Sequence, residues 1–299
     1  MATRFTLIRQ LELLGYTSIL VITLNVCFAI ISPSDAFQGG VLNGVYSSKN
    51  IASSYGVLAA LTFFALAQIN KKFVQKWWFS FFSAIIFVLA TTSKTGLVLI
   101  FLIPSITFLF SKLEFRAKYR LAIWYWIGIF IGILIVLLLG NWITLVEGIG
   151  GDPTFTGRTE IWSFLIDKIS ERPWLGYGRS AFWAPQTNNN ILVAQRVSYY
   201  GSLLGLEITH AHNGFIDLLL DLGWVGFAIF LGSFLSVSKK LIDWIYLSVS
   251  SETIWTAVFL IFFVISNVTE SWLFRNTNLI WVVYVSLCLS SKKPRINRF

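Results

Sequence analysis

The chain has 299 residues, 56% of them hydrophobic and only 12% charged, with a mean hydropathy of +0.72. A soluble domain carries about 25% charged residues, so this composition excludes a soluble globular fold and places the chain in a lipid bilayer. Its net charge of +9 is scattered in short clusters between apolar runs. That pattern excludes a nucleic-acid stripe and assigns the charge to membrane topology. Cys27 and Cys288, the two cysteines, lie in apolar runs near opposite ends of the sequence, which argues against a disulfide or a cysteine-based metal site.

Runs long enough to span a bilayer fall at 13–31, 52–69, 78–93, 95–111, 121–140, 213–236, 253–268 and 277–291, predicting eight transmembrane helices. The first has no small-residue cleavage site and reads as a signal anchor. Residues 78–111 read as a hairpin, broken at the polar stretch Thr91-Thr92-Ser93-Lys94-Thr95-Gly96. Eight spans put five basic clusters on one side: Arg4 and Arg9; Lys71, Lys72 and Lys76; Lys112 to Arg120; Lys239 and Lys240; and Lys292 to Arg298. The positive-inside rule makes that side the cytoplasm, with both termini there. The expected architecture is an all-α polytopic membrane protein, a single membrane domain over 1–299, with one long outer loop over 141–212.

Eight further basic residues then lie outside. Lys49, Lys94 and Arg275 sit one to each short outer connection, and Arg158, Lys168, Arg172, Arg179 and Arg196 lie in the long loop. They read either as snorkelling cations at the interface or as a site for an anion at the outer leaflet. Within the loop, Gly157-Arg158-Thr159-Glu160 opens a predicted helix, capped by Thr156 or Thr159, that runs to Glu171 and ends at Pro173. Ile161, Trp162, Phe164, Leu165 and Ile169 fall largely on one face, so the helix is amphipathic and lies on the outer membrane surface or roofs a cavity. A helix N-terminus beside Arg158 suits phosphate. Trp174-Leu175-Gly176-Tyr177-Gly178-Arg179 follows as a tight turn with sugar-stacking aromatics, and 185–200 reads as an excursion. The loop ends in Thr209-His210-Ala211-His212-Asn213-Gly214, where Asn213 is the expected N-cap of the sixth span. At that helix mouth His212 is placed to take a proton from a hydroxyl at neutral pH. Asp217 and Asp221, one turn apart on the same span, read either as partners for a basic residue or as catalytic groups.

The order of these blocks resembles the O-antigen ligase and polymerase superfamily of bacterial envelope glycosyltransferases, above all its exopolysaccharide-polymerase branch. The likeness rests on Gly44-Val45-Tyr46-Ser47-Ser48-Lys49-Asn50; Ser93-Lys94-Thr95; Gly157 to Trp162 with Glu171-Arg172-Pro173-Trp174-Leu175-Gly176-Tyr177-Gly178; Ala211-His212-Asn213-Gly214 with Leu222-Gly223-Trp224-Val225-Gly226; and Thr269-Glu270-Ser271. It covers about residues 40–290. The resemblance implies a GT-C-like fold in the bacterial plasma membrane. The implied activity is inverting, metal-independent transfer of a glycan from undecaprenyl pyrophosphate to a sugar hydroxyl at the outer leaflet, with no cofactor. By motif, His212 matches the family's base and Arg158 one of its two pyrophosphate-gripping arginines. Lys94 falls where the other arginine would stand, keeping the charge but losing the bidentate fork. Lys49 and Asn50 match a branch motif that contacts donor or glycan, and Arg179, Trp162, Asn213 and Glu270 complete the substrate-binding candidates. No metal ligand set is expected. The implied partners are the lipid-linked glycan, a glycan acceptor, the bilayer, and other assembly proteins such as a flippase or chain-length regulator. Members of the family commonly carry several more amino-terminal helices, and this chain begins about where those would end.

Ligation of a finished glycan to lipid A core or another acceptor would use the same residues as polymerisation. A transporter would instead require an inverted repeat or Gly/Pro-broken helices at matching positions, which the sequence does not show. A non-catalytic accessory protein of polysaccharide export is the third alternative.

Overall fold

A computed structural model describes residues 5–101, 158–184, 209–247, 250–275 and 278–290. The helix expected at 121–140, most of that expected at 95–111, and segment 185–200 lie outside the described residues, as does the side chain of Arg158. Among the described residues, five helices are long and apolar enough to cross a membrane: Leu7–Ile31, Lys49–Ile69, Lys71–Thr91, Gly214–Ile245 and Ser251–Thr269. The chain is thus a multi-pass, mostly helical membrane protein. It divides into two compact units, one drawn from Met1–Lys118, Ser236–Ser266 and Asn276–Phe299, the other from Tyr119–Leu235 and Asn267–Arg275.

In the first unit, α1 (Leu7–Ile31) starts six residues before the apolar run, because Thr6 caps Arg9 and an Arg9–Glu12 ion pair at 2.8 Å carries the helix through its polar first turns. Its buried residues Leu7, Leu11, Leu14, Ser18 and Asn25 form one stripe, while Leu20, Leu24 and Ile30 are exposed. A short helix, α2 (Pro33–Ala36), and a two-residue hairpin, β1 (Phe37–Gln38) with β2 (Val41–Leu42), lead to α3 (Lys49–Ile69). Helix α3 is buried nearly all round from Ala52 to Ala67 and packs chiefly on α4 (Val74–Thr91) and α1. Helix α4 ends at Thr92, whose φ is 49°, and helical backbone resumes over 94–101, called α5. Gly96 packs so closely that a Cβ there would overlap Ser53 Oγ and meet Val88. The chain therefore doubles back, as the polar break predicts.

The last apolar run forms α9 (Leu279–Leu289), only 11 residues. At about 1.5 Å per residue this described helix is shorter than a hydrocarbon core of about 30 Å; residues 277 and 291 of the run expected over 277–291 lie outside the described residues. Lys240 Nζ donates to the Leu287, Cys288 and Ser290 carbonyls at 3.4, 3.0 and 2.8 Å, occupying acceptors that a helix end leaves open.

In the second unit, α6 spans Arg158–Glu171, the bounds the sequence predicts. Its apolar face is used within the protein: Ile161, Phe164, Leu165 and Ile169 cluster with Phe182, Ala211 and Leu220. Helix α7 (Gly214–Leu247) is broken at Gly223, with φ 61° and ψ −163°. The break frees the carbonyls of Leu220 and Asp221 and the amides of Trp224 and Val225, which an unbroken helix would pair i to i−4. The 173–178 turn takes up all four. Tyr177 N–H and Gly178 N–H donate to the Leu220 and Asp221 carbonyls at 2.7 and 3.0 Å, and Trp224 N–H and Val225 N–H donate to the Pro173 and Trp174 carbonyls at 2.7 and 3.1 Å. Helix α8 (Ser251–Thr269) leads into the Glu270–Arg275 turn.

A Cβ at Gly223 would strike the Pro173 and Trp174 carbonyls, and one at Gly176 the Leu220 carbonyl; both glycines have positive φ. Gly223→Ala and Gly176→Ala should each destabilise by about 1–3 kcal/mol, read as a lowered thermal midpoint in detergent. Gly232→Ala, with nothing within 4 Å, should not.

Candidate functional site

The Thr209–Gly214 loop is held from both sides. The Ala211 N–H donates to Asp217 Oδ1 and Oδ2 at 3.0 and 3.3 Å, and the Ala211 carbonyl accepts from Trp162 Nε1 at 2.8 Å. The same Asp217 carboxylate accepts from Trp183 Nε1 at 3.0 Å and from Ser271 Oγ. One side chain thus ties together the 181–184 turn, the histidine loop and the turn after α8. Asn213 caps α7, its Oδ1 accepting from Phe215 and Ile216 N–H at 3.0 and 3.2 Å. His212 adopts a left-handed backbone, φ 49°.

Glu270 meets this loop from the far side. Its carbonyl accepts the Gly214 N–H at 3.2 Å. Glu270 is buried, 2% exposed, and its carboxylate lies 3.4 Å from His212 Nδ1 and 3.7 Å from His210 Nε2. The imidazole centroids are 4.0 Å apart, and ligand atoms of His210, His212 and Glu270 all fall within 4.8 Å of one another. The sequence reading expected no metal-ligand set, because Glu270 lies 58 residues from His212 and nothing local links them. Asn267 supplies the connection: its Oδ1 accepts from Trp272 and Leu273 N–H at 3.1 and 3.2 Å, and it packs directly on Gly214. An imidazole whose Nδ1–H faces a carboxylate presents Nε2 as a proton acceptor.

Two other candidates have structural partners. Trp162, read as substrate-binding, donates its indole N–H to Ala211, and Arg179 Nη2 donates to the Phe274 carbonyl at 2.8 Å. Arg158 occupies the first position of α6.

Lys49, Asn50 and Lys94 come together in the first unit. Ser48 caps α3 by accepting the Ile51 N–H at 3.3 Å, and Ser93 caps α5 by accepting the Gly96 N–H at 3.4 Å. Ser93 Oγ donates to Asn50 Oδ1 at 2.9 Å, which sets the two helix N-termini side by side. Each opens on an exposed lysine, and among the described residues neither lysine forms an ion pair. A cation at a helix N-terminus opposes the macrodipole, by about 0.3–1 kcal/mol; two such ends together suit an anion. Tyr46, which stacks on Tyr55 at 5.0 Å, is pushed up to about 12, first by burial and then by Tyr55.

Comparison with known proteins then identifies the chain. Residues 79–231, about half of it, match the family described as O-antigen ligase. The chain belongs to that family. Its similar curated proteins include the Rickettsia prowazekii protein named "Putative polysaccharide ligase RP358", 35% identical over 79 residues. They also include the exopolysaccharide production protein ExoQ of Rhizobium meliloti, 30% identical over 96 residues. A third is the general O-oligosaccharyltransferase of Acinetobacter baylyi, 34% identical over 68 residues. These matches cover 26%, 31% and 23% of this chain and 18%, 20% and 10% of the respective relatives. The chain thus spans only a fifth or less of the length of the relatives it matches.

Sequence reasoning missed the positioning groups Trp183 and Asn267, had Ser271 only within a motif block, and singled out Asp217 as a partner for a basic residue or a catalytic group, whereas it accepts from an amide, an indole and a hydroxyl. The signal for Asp217 was its place inside an apolar span. Asp221 also serves the backbone, its Oδ1 accepting the Ser180 N–H at 2.9 Å.

The turn that docks on α7 carries its own titration. The Tyr177 hydroxyl reaches the Lys168 carbonyl at 3.0 Å and Glu171 Oε2 at 2.9 Å. Burial, followed by the Glu171 hydrogen bond, pushes Tyr177 up to about 12. The neutral phenol is favoured in the fold, so its stabilising contribution is complete below pH 10 and is lost as pH rises toward 12. Glu171 is shifted down, first by its Lys168 hydrogen bond; its contribution is lost only as pH falls through that lowered value. Thermal midpoints measured from pH 9 to 12 should fall more steeply for the wild type than for Tyr177→Phe.

Proposed function

We propose that this member of the O-antigen ligase family is a membrane glycosyltransferase at the outer leaflet of the bacterial plasma membrane. It polymerises undecaprenyl-pyrophosphate-linked repeat units into exopolysaccharide or O-antigen. The observation that carries the reading is the pairing of His212 Nδ1 with the buried Glu270 carboxylate. In this reading the acceptor hydroxyl oxygen attacks the anomeric carbon and its proton passes to His212 Nε2. The bond from that carbon to the pyrophosphate oxygen breaks with inversion, and the pyrophosphate leaves with the electron pair. Glu270 fixes the tautomer of His212 and stabilises its imidazolium. By motif, Arg158 supplies a fixed cation for the leaving group, and Lys94 and Lys49 are the other candidates for that role. No step requires a metal.

The polymerase reading is supported by the order of the branch motifs and by the likeness to a protein named for exopolysaccharide production. Ligation to lipid A core or another acceptor is the second reading, favoured by relatives named polysaccharide ligase and oligosaccharyltransferase. The accessory-protein reading predicts no turnover at all.

The test incubates purified protein in detergent with an undecaprenyl-pyrophosphate-linked repeat unit and resolves products by length. A polymerase yields a ladder, a ligase a single step onto its acceptor. His212→Ala should slow transfer by roughly 10²–10⁴-fold, and Lys94→Ala should weaken it where Lys94→Arg does not. Wild-type rates in normally folded His212→Ala and Lys94→Ala proteins would exclude these roles.

A further inference from the structure

The histidine–glutamate cluster has a second capability. In a tetrahedral zinc site with bonds of about 2.0–2.2 Å, ligand atoms lie roughly 3.3 Å apart. Here the Glu270 carboxylate oxygen lies 3.4 Å from His212 Nδ1 and 3.7 Å from His210 Nε2, and one ligand atom from each residue lies within 4.8 Å of the other two. The outer contacts also fit. The Thr209 hydroxyl lies 3.2 Å from His210 Nδ1, so when that nitrogen carries the proton, the Nε2 lone pair turns toward Glu270. Metal-bound histidines are held in this way through their other nitrogen. Both histidine side chains are partly exposed, at 20% and 33%, which leaves a path for an ion and a position for water.

We propose that His210, His212 and Glu270 form a binding site for a divalent transition metal of the zinc class, and that its occupancy switches the transferase off. Two imidazoles and one carboxylate suit zinc, cobalt or nickel over magnesium or calcium, which prefer oxygen ligands throughout. The switch rests on the reading of His212 as base. A neutral imidazole coordinating through Nδ1 carries its proton on Nε2, so the lone pair that would receive the acceptor proton is gone. Removing the metal returns the proton to Nδ1, opposite Glu270. The ion here is an inhibitor and takes no part in transfer.

The experiment titrates tag-free, full-length protein in detergent with Co²⁺, followed by visible d–d absorption, and then displaces it with Zn²⁺. One Co²⁺ per chain is expected. Outer contacts alone are worth about 10–100-fold in metal affinity, so loss of a direct ligand in His210→Ala or Glu270→Gln should weaken binding at least roughly tenfold. A Cys27→Ser, Cys288→Ser protein should bind as the wild type does. Transfer, normalised to each protein's own metal-free rate, should be inhibited by Zn²⁺, unaffected by Mg²⁺ and restored by EDTA, with His210→Ala requiring more Zn²⁺. Absence of Co²⁺ binding, or binding undiminished in folded His210→Ala and Glu270→Gln, overturns the site. Zn²⁺ bound without loss of transfer overturns the switch. A metal-binding wild type that makes no product would instead remove the transferase reading, and the switch with it, while leaving the metal site established by absorption.

Discussion

Helix α7 is broken inside a stretch apolar enough to cross a membrane, and the repair of that break governs the second unit. Unpaired backbone groups in hydrocarbon cost several kcal/mol each, so four groups freed at Gly223 must find partners. The 173–178 turn provides them in order, two donors and two acceptors. Glycine is required on both sides because the backbones approach too closely for a Cβ. This contact fixes the turn, and through Phe182 and Leu220 it sets where α6 packs. Trp162 on α6 then reaches the carbonyl of Ala211, between the two histidines.

Polar side chains complete the placement. Asp217 and Asp221 stand where an ionisable group calls for a reason, and they accept hydrogen bonds from backbone amides, an indole and a hydroxyl. An ionised carboxylate accepts several hydrogen bonds and donates none, which suits a point where three segments present donors. Asn267 and Asn213 do the same with amide oxygens, each receiving two backbone N–H groups. The apolar helices supply rigidity, and a few acceptors decide which residues face the loop.

The first unit uses a related device at its own helix ends. Asn25 is buried in α1 and accepts the Val45 N–H at 3.0 Å, and Gly44 lies against it too closely for a side chain. That holds the Gly44–Asn50 block, and the Asn50–Ser93 hydrogen bond carries the restraint to Lys94. Two lysines at two helix N-termini form an arrangement that is unfavourable until an anion offsets it.

What the sequence determined by itself was set by local physics. Apolar run length places the spans. The polar break at Thr91 to Gly96 produced the reversal, and Arg158 and Pro173 bracketed α6, because caps and helix breakers act within a turn or two. The order of motifs was enough to place the chain in its family. Tertiary structure alone decided the rest. No period or motif announces that Glu270 faces His212 across 58 residues, or that Gly223 opens α7 to receive the Trp174 turn. Nor does local sequence show that Trp162 holds a carbonyl. Those outcomes depend on which distant segments supply partners for buried polar groups, and a satisfied hydrogen bond leaves no trace in the local sequence of either partner.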